Sequence, residues 1–191
     1  MTTRPAMHWC SCTGAWLCRV LLSMFCLSAG SSWAAGDITH LAALWQDDQG
    51  HTVSLSDWAN KPMVITMAYG TCRKVCSTSM RRMEQAQALA DANGLALEFV
   101  VVSLSPEADT PQDWRAFRKS HKLDRANWHF LSGSARDTRT LARLLGIGYW
   151  VYDDHVVHDF RVLRTNRHGE ITATLQAADE DPAALVQAER P

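Results

Sequence analysis

Two cysteines four residues apart, Cys72 and Cys76, stand in Tyr69-Gly70-Thr71-Cys72-Arg73-Lys74-Val75-Cys76, where an apolar run gives way to helical periodicity. Thiols at this spacing support three kinds of chemistry: a dithiol–disulfide couple, capture of a soft ion such as Cu(I) by two thiolates, or a structural disulfide in an exported protein. If residues 72 to 76 are helical, the pair shares one face with Cα atoms about 6 Å apart, which permits a disulfide or a shared metal. Dithiol oxidoreductase loops have two intervening residues where this one has three, so the sulfur bite is wider and the disulfide geometry looser. The strand-to-helix position favours a reactive pair. A helix N-terminus stabilises thiolate through its unpaired N–H groups, and reactive groups in open α/β folds gather at the carboxyl ends of strands. Arg73, Lys74, Arg81 and Arg82 are close in sequence and favour thiolate further.

The other four cysteines, Cys10, Cys12, Cys18 and Cys26, fall in a segment that reads as an export leader. Residues 1–36 hold no Asp or Glu, and their only Lys or Arg residues are Arg4 and Arg19, followed by the apolar run Val20 to Ala29 and the small residues of Ser32-Trp33-Ala34. We expect residues 1–35 to be a cleaved signal peptide and residues 36–191 to form one exported, periplasmic domain. The apolar run is about half the roughly 20 residues a membrane span requires, so cleavage is favoured over an anchor. Bulky Met24 and Phe25 before Cys26 disfavour lipidation, and contact with a membrane is expected only through an uncleaved leader or the partner. Without the leader, two thiols are too few for a four-thiolate zinc site or an iron–sulfur cluster.

The elements that hold this pair are legible from pattern. The chain of 191 residues is 47% hydrophobic and 20% charged, with a formal net charge of -1. That composition builds a core and argues against both global disorder and a basic nucleic-acid binder. Leu44–Gln46 and His51–Leu55 flank a turn-rich insert and predict an N-terminal hairpin. Met63–Tyr69 and Leu95–Leu104 read as buried strands, separated by a helix that ends at Asn93-Gly94. Thr110-Pro111 starts a second helix running to about His121, Trp128–Leu131 a third strand, and Ser134 a third helix ending at Gly146. His158–Thr165 and Glu170–Leu175 predict a last hairpin, with a short helix from Asp181-Pro182. The order is that of an α/β fold with a mixed central sheet flanked by helices. Met67, Met80 and Met83 have the spacing of core residues, and Trp45, Trp58, Trp114, Trp128 and Trp150 read as core or rim rather than a partner groove.

An ion that also visits Cu(II) wants an imidazole. The candidates are His40, His51, His121, His129, His155, His158 and His168. His155 and His158 follow the third helix, where the sheet can return them to the cysteine loop, and His168 sits in a hairpin turn.

Three stretches together resemble the Sco/SenC family, exported thioredoxin-fold proteins that bind copper and assist assembly of the copper centre of cytochrome c oxidase. They are Asn60–Tyr69 with Cys72-x-x-x-Cys76, Ser103-Leu104-Ser105-Pro106-Glu107-Ala108-Asp109-Thr110-Pro111, and Trp128–Gly133. The resemblance covers roughly residues 47 to 175 and implies a thioredoxin-like fold. The family's ligand histidine stands eleven residues before the glycine of the last hairpin, which from Gly169 implies His158; His155 also follows an acid and is the fallback. The resemblance thus implies a copper metallochaperone, with Cu(I) or Cu(II) held by Cys72, Cys76 and His158 and passed to an oxidase subunit. The alternative is a thiol–disulfide oxidoreductase in which Cys72 and Cys76 are the catalytic redox pair that keeps a target's copper-ligating cysteines reduced. Thioredoxin-like reductases place a cis proline opposite their cysteines, and this chain has no proline between Pro111 and Pro182.

Overall fold

The computed structural model describes residues 37–70, 75–153 and 155–187; the leader reading lies outside them. Met63–Ala68 carries no charge and forms β3, buried at every position. Its one polar side chain, Thr66, donates to the Arg161 carbonyl at 2.6 Å. A strand so apolar is stable only with a partner on each edge and cover on each face, and β3 has both edges filled. Glu98–Ser103 (β4) pairs with it in parallel and Val162–Thr165 (β8) antiparallel. Trp128–Gly133 (β5) continues the parallel part, and Trp45–Asp47 (β1), Thr52–Val53 (β2) and Ile171–Leu175 (β9) complete a seven-stranded sheet of order β2-β1-β5-β4-β3-β8-β9.

Helices connect the parallel strands. Val75–Ala92 (α1) joins β3 to β4 and stops where Gly94, at φ 65°, lets the Leu95 N–H reach back to Ala90 O at 2.9 Å. That closure consumes Leu95, so β4 begins at Glu98 rather than at the start of the apolar run. Pro111–Ser120 (α2) is capped reciprocally by Thr110 and Asp113, and Ala135–Leu144 (α3) by Ser134. A short helix, Ala184–Gln187 (α4), follows β9. Met67, Met80, Met83, Trp45, Trp58, Trp114 and Trp128 are all core residues. Among the described residues no helix is long and apolar enough to cross a membrane.

One expectation is corrected. His158 does not begin the strand of the last hairpin. It ends a separate strand, His155–His158 (β7), paired with Tyr149–Tyr152 (β6) in a second, two-stranded sheet. Asp159 closes this hairpin at its base: its N–H donates to Gly148 O and its Oδ2 accepts the Gly148 N–H, both at 2.9 Å. The chain therefore turns at residues 159–161 before β8. Trp150 is correspondingly 56% exposed, with Val151 and Tyr152 beside it, not part of the core.

Candidate metal centre

The carboxyl end of β3 delivers the first half of the site. After Ala68 the chain passes through buried Tyr69 and half-buried Gly70, and α1 begins at Val75 with Cys76 as its second residue. Cys72 and the side chain of Cys76 lie outside the described residues, as does the question of whether residues 72–76 are helical. Consecutive Cα atoms are 3.8 Å apart, so the Cα of Cys72 stays within about 7.6 Å of that of Gly70. The loop is thus anchored at a strand's carboxyl end and a helix's N-terminus, as the spacing predicts.

His158 is the second component. On a strand alternate residues face opposite sides, and on β7 the buried members are Val156 and His158 while His155 and Val157 face out. The ring of His158 meets that of Tyr69, three residues before Cys72, edge-on with centroids 6.3 Å apart. Its Nδ1 lies 2.9 Å from the Asp159 carbonyl, which can only accept, so Nδ1 carries the proton. Nε2 is left with a bare lone pair, buried and without a hydrogen-bond partner among the described residues. A buried polar atom left unmet costs about 1–3 kcal/mol, and a ring fixed through one nitrogen with the other free is how ligating histidines are arranged. Among the described residues no three His, Cys, Asp or Glu side chains converge on a metal position.

The remaining histidines have other settings. His155, the fallback, is exposed on the outer face of β7, and His168 is exposed in the β8–β9 turn. His40 pairs with Asp37, His51 with Asp47 and His129 with Glu98, at 2.9, 3.1 and 2.8 Å. His121 stacks on Phe117. Arg82 has partners of its own among the described residues. Its guanidinium is spent on Gln85 Oε1 and the Ala178 carbonyl, tying α1 to the segment after β9.

Sequence reasoning missed Asp109. It is 2% exposed, and its Oδ1 accepts the Gly70 N–H at 2.9 Å while Oδ2 accepts the Ser103 hydroxyl at 2.6 Å. Burial pushes its pKa up, against those two hydrogen bonds, which pull it down. It stands within the second of the family-like stretches, but as an acid beside the cap of α2 it reads as solvated loop.

The SCO1/SenC sequence model matches residues 44–190. The SCO1 protein homolog of Bacillus subtilis (strain 168) is 25% identical over 89 residues, 47% of this chain and 46% of that one, so the match spans about half of that relative. Arabidopsis thaliana ScoI, solved with copper bound, superposes with a TM-score of 0.66 at 19% identity, over 75% of this chain and 90% of its own. BsSco, a Sco family cytochrome c oxidase assembly protein with a disulfide switch, gives 0.66 at 19% identity, over 76% and 90%. The folds agree: a thioredoxin-like sheet with its helices.

Proposed function

We propose, for a chain that belongs to the SCO1/SenC family, that it is a copper metallochaperone that takes one copper ion as cargo on the thiolates of Cys72 and Cys76 and on Nε2 of His158. The observation that carries this reading is the buried Nε2 of His158, without a hydrogen-bond partner among the described residues, in a ring fixed through Nδ1 to the Asp159 carbonyl and set edge-on to Tyr69, three residues before Cys72. The donor set suits the cargo. Two soft thiolates retain Cu(I), an imidazole makes Cu(II) tolerable, and the histidine is the ligand that leaves first when a receiving protein attacks. The receiver in this reading is a copper site of an oxidase subunit, met in the periplasm.

Titrating the reduced protein with copper tests this. About one ion per chain is expected, lost in Cys72→Ser and Cys76→Ser, with His158→Ala retaining Cu(I) and losing Cu(II). Unchanged Cu(II) binding in His158→Ala removes the histidine from the site. Metal-free turnover of a disulfide substrate with a dithiol donor, without copper-dependent rescue of oxidase activity, would turn the reading to a thiol–disulfide oxidoreductase.

A further inference from the structure

The cysteine loop leaves β3 through Gly70, and Gly70 is held from a different connection of the sheet. The turn between β4 and α2 carries Asp109, which accepts the Gly70 N–H on one carboxyl oxygen and the Ser103 hydroxyl on the other. This carboxyl is itself fixed. Ser103 Oγ accepts the Ser105 N–H at 2.9 Å, and the Asp109 carbonyl accepts the Ser132 hydroxyl at 2.5 Å. Ser132 Oγ accepts the Trp114 indole N–H at 2.8 Å. Residues of β4, β5 and α2 thus hold Asp109 before it reaches the loop. Gly70 is shaped to receive it, because a Cβ there would stand 2.9 Å from Asp109 Oδ1. Burying a carboxyl works against stability, and a backbone N–H at the end of a strand has cheaper partners available, water among them.

We propose that Asp109 is the positioning residue of the cysteine loop. By fixing the Gly70 amide it sets where Cys72, two residues on, stands relative to Cys76 on α1, and hence how well the two sulfurs act as a pair toward copper or toward each other. The inference rests on the reading of Cys72 and Cys76 as a working pair. Groups behind a ligand that fix its place typically govern affinity 10–100-fold.

The test uses the full chain, with three variants and two readouts. Asp109→Ala removes the clamp. Asp109→Asn keeps it without charge, since the amide oxygen accepts from Gly70 and the amide nitrogen donates to Ser103 Oγ. Gly70→Ala attacks the same contact from the other side and serves should Asp109→Ala fail to fold. The first readout is the Cu(I) dissociation constant by competition with a chromophoric chelator. The second is the metal-free equilibrium in which two glutathione thiols are oxidised to glutathione disulfide while the protein disulfide is reduced to two thiols. Asp109→Ala and Gly70→Ala should each weaken Cu(I) binding and favour the reduced dithiol, both by about tenfold, with Asp109→Asn within about threefold of wild type. Wild-type values for both single clamp-breaking variants, or Asp109→Asn falling as far as Asp109→Ala, overturn the proposal. A wild-type protein that takes up no copper removes the chaperone reading, and the glutathione equilibrium then decides on Asp109 alone.

Discussion

Replacing His158 with leucine separates a residue kept for metal from one kept for the fold. Among the described residues the imidazole contributes one hydrogen bond, from Nδ1 to the Asp159 carbonyl, with a net worth of about 1 kcal/mol. Asp159 is exposed, so water can satisfy its carbonyl after the change. Against that loss stands the relief of the unmet Nε2 lone pair, about 1–3 kcal/mol. Leucine also places apolar surface beside Tyr69. Leucine at position 158 should therefore leave the metal-free domain between unchanged and about 2 kcal/mol more stable. At about 2–4 °C per kcal/mol for a domain of this size, the thermal midpoint should hold or rise by several degrees. Circular dichroism melts with chelator and reductant read this directly. Melts of the pre-reduced protein freed of chelator and reductant, with Cu(II) added anaerobically at a hundredfold excess over its dissociation constant, should show the wild type stabilised by about 2.7 kcal/mol, and leucine at 158 should lose most of that gain. A metal-free variant destabilised by more than about 1 kcal/mol would show that Nε2 serves the fold. An undiminished Cu(II) gain would show that it does not serve the metal.

Three further outcomes follow from particular contacts. Burial raises the folded pKa of Asp109 above its unfolded value, so its ionised form costs stability above the folded pKa and the cost is gone below about pH 3.9. In urea unfolding, Asp109→Asn should thus be more stable than wild type at neutral pH, with the advantage fading toward acid; an advantage that grows toward acid refutes the sign. Gly133→Ala drives a Cβ to 2.3 Å from Trp45 Cε3 and should cost about 1–3 kcal/mol by overpacking, and an unchanged urea midpoint would mean the β1 edge yields freely. Met83→Ala, at a fully buried site, should cost about 2–5 kcal/mol while copper stoichiometry stays at the wild-type value; a lost copper ion would make that thioether a ligand.

What the sequence settled was local. Cys72 and Cys76 are four residues apart, so no tertiary arrangement can put their Cα atoms more than about 14 Å apart, and their chemistry was open to reading before any fold was known. The capped starts of α2 and α3 and the glycine stop of α1 act through residues within a turn of one another, and the strand before the cysteines is marked by its own uncharged run, so each was legible. The β6–β7 hairpin was not. Tyr149–Tyr152 lacks an alternating pattern because its outer face is apolar and exposed, and the pairing depends on Asp159 reaching Gly148 across the hairpin. The register that pairs Tyr149 with His158, and the alternation along β7, put His158 on the buried side. The spacing to Gly169 pointed to His158 through a family likeness, but only the folded chain shows one ring nitrogen bonded and the other without a partner among the described residues. Asp109 was hidden for the same reason: whether an acid beside a helix cap is solvated or buried depends on what crosses above it, and here that is the exit of β3, brought in by parallel pairing with β4.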